Sequence, residues 1–438
     1  MRHLLSFLMA VVVAIAINAE VRVINLDANS NVSEILGDDI LTIDSMKVNG
    51  YLSHKNLTSI SWMVNRHLEY LDLGDCTIEG NEIPAKGLCP TPLQANPGET
   101  HYAIILKRVI LPQSVEKIGE YALCAAPLES LELPASLKEI GDWAFNGCSK
   151  ITGKLVFPDK VEKIGYMAFC NCYGITSISL PEGLTELGGH CFEGLTHLEE
   201  MNFPSTLTAI GEGACKGWYR FTAEKFEIGA GVTTLGRTAF QDCKLQKVVF
   251  DPANGITTIN EGTFKDCGIT EITLPSACAR IEQNALSGNN FETVVLPSTL
   301  TYLGAYAFAD CGKLANVYVA AAVPPTAETT SIGGTASKQL YVPIGSKAAY
   351  EADSFWGTFG TITETNDFSG VNASEIPAVR AYGAEGMAVV SGEVRYEIVG
   401  IDGRSVATGI ASQNTQIPLP AGIYVVIANS NAQKIIVK

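Results

Sequence analysis

The sequence predicts a mainly β solenoid with short helical or 3₁₀ segments, followed by a small C-terminal β-sandwich. Three observations carry that prediction. A strand-like tripeptide closed by a turn residue recurs at a near-constant interval, and an apolar-glycine pair keeps phase with it. After Thr361 the interval is lost, and longer alternating segments take over.

The first signal is Val109-Ile110-Leu111-Pro112. It returns as Leu131-Glu132-Leu133-Pro134, Leu155-Val156-Phe157-Pro158, Ile178-Ser179-Leu180-Pro181, Met201-Asn202-Phe203-Pro204, Ile272-Thr273-Leu274-Pro275 and Val294-Val295-Leu296-Pro297. Phe226-Glu227-Ile228-Gly229 and Val248-Val249-Phe250-Asp251 change only the ending. From Pro112 the closing residue advances by 22, 24, 23, 23, 25, 22, 24 and 22 residues, so one winding takes about 23. Period-2 alternation sends Leu131 and Leu133 inward and Glu132 outward. Pro134 cannot donate to a ladder, and its fixed φ starts a turn.

The second signal is Ile118-Gly119, Ile140-Gly141, Ile164-Gly165, Leu187-Gly188, Ile210-Gly211 and Leu303-Gly304. Gly141 is expected to relieve backbone crowding at a corner. A small-plus-aromatic pair follows at Ala144-Phe145, Ala168-Phe169, Ala239-Phe240 and Ala307-Phe308, expected to fill the core from a short helical or 3₁₀ segment. One winding cannot bury its own apolar face, so stacked neighbours must share a continuous interior.

With its L-x-L-P strand, I-G corner and A-F-x-x-C segment, the unit resembles the BspA-type leucine-rich repeat of bacterial cell-surface proteins over about 109–320. The resemblance implies a leucine-rich-repeat solenoid, surface exposure, and adhesion or other protein binding without a shared enzymatic site. Leu340-Tyr341-Val342-Pro343, with Tyr350, Trp356 and Phe359, looks like the closing turn of such an array.

The flanks complete the organisation. Residues 1–19 read as a secretory signal peptide: Arg2, an apolar run from Leu4 to Ile17, then Ala19 before the expected cleavage. The run is too short for a membrane anchor, and no later segment of the mature chain can span a bilayer. Residues 20–107 are expected to hold an N-terminal cap and a first atypical repeat. Its parts are an edge strand from Leu41 to Gly50, an amphipathic helix over 57–68, a strand at Leu68–Leu73 and a proline-rich loop from Pro90 to Gly98. The solenoid is assigned to 108–361, a linker to 362–378 and the sandwich to 379–438. In the last segment the Asp402-Gly403-Arg404 turn, the Gly422-Ile423-Tyr424-Val425 strand and a terminal strand ending in Lys438 resemble the C-terminal sorting domain of the type IX secretion pathway. That resemblance implies passage across the outer membrane and anchoring there, hence an extracellular or cell-surface location.

Acidic residues outnumber basic ones 46 to 30, for a formal net charge of −16. Such a chain repels nucleic acid and anionic lipid. No hydrolase, phosphate-binding or EF-hand motif is present, so no catalytic residue, cofactor or metal site is assigned. His190, Cys191 and His197 are read as structural, because no paired-histidine or C-x-x-C spacing accompanies them. Cys148, Cys172, Cys243, Cys267 and Cys311 share one repeat position. Stacking brings neighbours within disulfide range, yet the adopted reading is a ladder of buried thiols. Cys76 and Cys89, in the irregular cap, are the expected disulfide.

The binding candidates lie on the outward column Glu132, Val156, Ser179, Asn202, Glu227, Val249, Thr273, Val295, Tyr318 and Tyr341. The stretch from Glu227 to Tyr341 turns apolar and aromatic, which suits a partner interface or an ordinary solvated sheet face. Trp218 and Tyr219 join this set: in the longest repeat, where Ala214-Cys215 replaces the small-aromatic pair, Trp218 either protrudes as a contact or fills the missing ring's volume. The preferred function is an adhesin-like module that binds a protein, such as a host extracellular protein. The alternatives are a glycan-binding component of a surface nutrient-uptake system, and a degradative enzyme whose carboxylates assemble across windings.

Overall fold

The computed structural model describes residues 21–89, 104–221 and 223–368, and in the C-terminal part 380–384, 387–391, 394–400, 404–411, 414–428 and 431–437. The expected signal peptide, the Pro90–Gly98 loop, most of the 362–378 linker, Asp402, Gly403 and Lys438 lie outside the described residues. The chain divides into two compact units, Met1–Asn366 and Asp367–Lys438.

In the first unit the proline-terminated segments lie side by side in parallel. Gly153–Val156, Ile175–Ser179 and Glu200–Asn202 form one sheet, and Phe226–Ile228, Lys247–Phe250 and Glu271–Thr273 the next. Thr293–Leu296, Asn316–Val319, Gln339–Val342 and Thr361–Glu364 form the last. Thr361–Glu364 pairs with Gln339–Val342, so the array runs past Thr361 into the segment expected to be linker. The Leu131-Glu132-Leu133 winding keeps its place but forms no strand.

A second ladder of two-residue strands runs from Glu82–Ile83 through Lys117–Ile118, Glu139–Ile140, Lys163–Ile164, Glu186–Leu187 and Ala209–Ile210 to Thr234–Leu235. The glycine that follows every pair from Lys117–Ile118 onward has a steric cause: a Cβ on Gly236 would lie 2.3 Å from the Glu212 nitrogen, and one on Gly141 2.8 Å from the Glu120 nitrogen. With no side chain, Gly236 N–H reaches Ile210 O at 2.7 Å. Asn260 takes that place in the next winding, and its side-chain amide bonds Leu235 O instead, at 2.6 Å. The ladder is interrupted there and resumes at Thr258–Ile259.

The expected helical filler segments are not helices. They are runs of turns carrying left-handed residues at a repeating position, among them Tyr121 (φ 55°), Trp143 (58°), Met167 (52°), His190 (54°) and Tyr306 (59°). A helix would direct every N–H along the chain. Here alternate N–H groups point to the next winding: Trp143 to Tyr166 O, Phe145 to Ala168 O and Gly147 to Cys170 O, each at 2.8 Å. These bonds offset the steric penalty of left-handed non-glycine residues.

The rings borne on these turns build the core. Phe145 and Phe169 stack at 5.0 Å, Phe169 and Phe192 at 5.9 Å, and Phe240 and Phe264 at 5.5 Å. All are fully buried.

Both ends of this unit differ from a regular winding. Ser45–Leu52 is not an edge strand: it lies between Arg22–Leu26, which is the edge, and Tyr70–Asp72. Its alternating apolar residues Met46, Val48 and Leu52 are fully buried on one face. The cap helix is His54–Val64, not 57–68, because the Ser53 hydroxyl accepts from Asn56 N and starts it earlier. At the other end Tyr350, Trp356 and Phe359 are buried. Tyr350 donates to Ala321 O and Trp356 Nε1 to Pro325 O, both at 2.7 Å, so polar atoms of the closing aromatics satisfy carbonyls of an earlier winding.

The second unit is antiparallel. Arg380–Ala384, Met387–Ser391 and Asn414–Pro418 make one sheet; Val394–Gly400, Ser405–Ala411, Gly422–Ala428 and Asn431–Val437 make the other. Ala388, Val390, Tyr396, Ile398, Ile417, Leu419, Val426 and Val437 form its core.

Two outcomes test this packing. Phe169→Ala removes a ring stacked on both sides and should cost roughly 3–5 kcal/mol; a denaturant midpoint equal to that of the parent would contradict it. Gly236→Ala forces backbone apart and should destabilise by at least about 1 kcal/mol, whereas Gly229→Ala, with open space around its Cβ position, should be near neutral.

Candidate interaction surface

The cysteine column explains why so much of the repeat is invariant in chemistry. Cys148 Sγ donates to Leu123 O at 3.1 Å and Cys172 to Phe145 O at 3.2 Å. Cys243 and Cys267 reach Cys215 O and Phe240 O, both at 2.9 Å, and Cys311 reaches Leu286 O at 3.4 Å. Each thiol sits three residues after the core aromatic position and serves the carbonyl of that position one winding earlier. Asn289 replaces the cysteine with an amide donor to Phe264 O, at 2.8 Å. Trp218 replaces it with an indole donor to Phe192 O, at 3.0 Å.

Trp218 is therefore not a surface residue, and its place among the binding candidates is corrected. It is fully buried and packs on Phe221, filling the room left by the small Cys215. Tyr219, next to it, is 58% exposed. The expected Cys76–Cys89 bridge is also corrected, because the two sulfurs turn to different partners. Cys76 Sγ donates to Val48 O at 2.9 Å, while the Cys89 thiol meets that of Cys124.

Burial pushes the Cys243 thiol up to about 12 and that of Cys311 up to about 11, against an ordinary value near 9. His190 Nδ1 pairs with Glu193 at 2.6 Å and His197 Nδ1 with Tyr173 O at 2.9 Å, so each imidazole has a local structural partner. Among the described residues no group of three or more His, Cys, Asp or Glu is arranged to hold a metal ion.

The outward column exists as register. Ser179 lies opposite Val156 and Asn202, Val249 opposite Glu227 and Thr273, and Tyr318 opposite Val295 and Tyr341. Its members differ in what they offer. Glu227 is exposed and paired with Lys225 at 2.7 Å. Val249 faces outward yet is only 8% exposed, a correction to its reading as surface. Two residues back on the same face, Lys247 reaches across to Glu271 on the adjoining strand at 3.0 Å. Thr273 and Val295 are half-buried.

Tyr318 and Tyr341 form the most ordered feature, with rings 4.2 Å apart and 7° from parallel. Tyr341 OH donates to Gln339 Oε1 at 2.6 Å. Thr293, Asn316, Gln339 and Thr361 are aligned beside them. With Val295, Tyr318, Tyr341 and Thr363, four strands present eight outward side chains and no charge.

Two features escaped the sequence reading. Tyr121 stacks on Trp143 at 5.6 Å, Trp143 meets Tyr166 edge-on at 5.7 Å, and Tyr166 meets His190 at 5.5 Å. These rings form a partly exposed aromatic column along the turns; the signal was a ring one or two residues after Gly119, Gly141, Gly165 and Gly188. The second is a cleft of roughly 550 Å³ where the main ladder breaks between Asn202 and Phe226. Met201, Phe203, Phe221 and Phe226 line it, together with Lys225 and Glu227.

The repeat unit, with its parallel strand, glycine corner and thiol column, can be compared with known proteins. The family model for the BspA type leucine rich repeat region (6 copies) matches residues 99–222 and 216–326, a span of 228 of the 438 residues. The chain belongs to that family. A leucine-rich repeat protein from Bacteroides ovatus has a similar structure, with 19% identity, a TM-score of 0.53, and coverage of 79% of this chain and 92% of that one. A leucine rich cell surface protein from Faecalibacterium prausnitzii matches at 20% identity and TM-score 0.35, covering 66% and 84% of the two chains. The pneumococcal vaccine antigen PcpA matches at 16% identity and TM-score 0.42, covering 74% and 80%. No curated protein matches the chain. In this BspA-type array no helix among the described residues is long and apolar enough to cross a membrane.

The thiol column makes a chemical prediction. At pH 8, iodoacetamide should leave Cys243, Cys267 and Cys311 unmodified in the native protein and label all three in guanidinium, because burial disfavours the reactive thiolate. The raised pKa also has a stability consequence. The thiol's contribution is fully present below the unfolded value near 9 and is lost as pH rises through the folded value of about 12 at Cys243. Native labelling at pH 8 would contradict this burial.

Proposed function

We propose that this protein is a secreted or cell-surface binding protein, adhesin-like, that engages a protein partner through the outward face of its last four parallel strands. The observation that carries the reading is the uncharged Tyr318–Tyr341 patch in a chain whose formal net charge is −16. Elsewhere the exposed faces carry ion pairs between windings, such as Glu116–Lys138 at 2.7 Å and Glu139–Lys163 at 2.9 Å. Stacked tyrosines present large rigid area at low entropic penalty, and the flanking amides and hydroxyls supply adaptable hydrogen bonds. The rigid ladder beneath holds both rings in place without help from a ligand.

A second reading, a glycan-binding component of a surface nutrient-uptake system, draws on the Tyr121–Trp143–Tyr166 column. Planar rings spaced along a rigid edge suit the apolar faces of successive sugar units. The C-terminal unit, with its antiparallel sheets, serves in either reading as the sorting and anchoring domain at the outer membrane. No catalytic role enters either reading.

The test is a screen of the full-length protein against purified host extracellular proteins and a glycan array, run in parallel with two variants. A protein partner should bind the Tyr318→Ala/Tyr341→Ala variant at least about ten-fold more weakly, with the melting temperature nearly unchanged. A glycan ligand should instead be lost on Trp143→Ala. Protein binding that survives the double tyrosine change intact would rule out the proposed face.

A further inference from the structure

We propose that Cys89 and Cys124 form a disulfide that ties the N-terminal cap to the first full winding of the array. This rests on the export reading above, since such bonds persist outside the cytoplasm.

The geometry singles out this pair. Lys86 N donates to Glu120 O at 2.7 Å and Leu88 N to Ala122 O at 3.0 Å. The same pattern, Phe145 N to Ala168 O, sets Phe145 level with Phe169 further along the array. Leu88 is thus level with Leu123, and Cys89 with Cys124. Level residues of adjoining parallel rungs stand about 4.8 Å apart, inside the Cα separation that a disulfide spans. Both cysteines are 1% exposed, and their thiols hydrogen-bond to each other.

The other cysteines are disposed differently. The adjoining pairs Cys148 with Cys172, and Cys243 with Cys267, turn every thiol onto a backbone carbonyl and not toward its neighbour. In the column of Cys124 the next level is Asn146 and the one after is Cys170. Asn146 hydrogen-bonds the Cys170 thiol and so separates it from Cys124.

The bond would close a segment of 36 residues (89 to 124 inclusive) that contains the long insertion before the regular repeats. That is where loop closure is entropically expensive in the unfolded chain and a covalent tie is most effective. Chemically, the two thiols give up two protons and two electrons as the S–S bond forms. The acceptor is the disulfide of a thiol oxidoreductase or of oxidised glutathione, whose own S–S bond is cleaved to two thiols. Both sulfurs are sequestered in the folded protein, so the exchange takes place before the cap finishes docking.

The test has two arms on the full chain. Protein refolded in a glutathione redox buffer is digested without reduction and mapped by mass spectrometry. The expected product is a single cross-linked peptide pair joining Cys89 and Cys124, about 2 Da lighter than the sum of its thiol forms. Cys148, Cys172, Cys243 and Cys267 should be recovered as thiols. Cys89→Ser and the double change Cys89→Ala/Cys124→Ala should both lower the melting temperature, by on the order of 5 °C. That difference from the parent should shrink when reductant is added. No cross-link in this arm, or one joining Cys148 to Cys172 instead, overturns the proposal. The second arm maps protein harvested from its own cells. A bond that forms on refolding but is absent from harvested protein overturns both the native disulfide and the export reading; failure of the first arm bears on the disulfide alone.

Discussion

Each winding of this array must satisfy the backbone hydrogen-bonding groups of the winding beside it, at a spacing of about 4.8 Å. That requirement explains the residues that recur. Where the backbones approach closest, only glycine fits, as the 2.3 Å clearance at Gly236 shows. Where a core carbonyl is left with a free lone pair, the following winding brings a donor, and thiol, amide and indole all serve. Where alternate N–H groups must turn toward the next rung, the chain accepts left-handed residues as large as Trp143 and Tyr306. The apolar interior follows from these contacts as much as it drives them.

Seen this way, the cysteines are neither reactive centres nor a metal cage. A thiol is small enough for the interior and polar enough to donate one weak hydrogen bond. Trp218 and Asn289 occupy the same station with different volumes, and each is matched by its surroundings: Cys215 is small beneath Trp218, and the Asn289 carbonyl oxygen also accepts from Ile269 N at 2.9 Å. Cys89 and Cys124 stand outside this scheme because their thiols face one another. The same repeat chemistry thus yields two kinds of cysteine, separated by which acceptor lies within reach.

With its backbone hydrogen bonds directed along the stack, the array can vary its outer side chains without disturbing the core. The patch around Tyr318 and Tyr341 and the ring column around Trp143 both use that freedom, on different faces of the winding. Neither requires a loop to order or a domain to move before a ligand arrives, so binding there would begin from a preorganised surface.

Much of this was legible in the sequence, because period and register are encoded locally. The spacing of Pro112 to Pro297 determined the parallel stacking, and period-2 alternation determined which residues face outward. Three-dimensional surroundings decided the rest. Val249 points outward by register, between Glu227 and Thr273, but is buried. Trp218 reads equally well as a contact or as filler until its indole finds Phe192 O. The filler turns look helical until the next winding claims their N–H groups. Cys89 pairs with Cys124 and not with Cys76 because vertical alignment, which depends on how the insertion is accommodated, is not written in the spacing. A periodic sequence specifies what repeats; burial and partner choice depend on neighbours about twenty or more residues away, and only the stack brings those together.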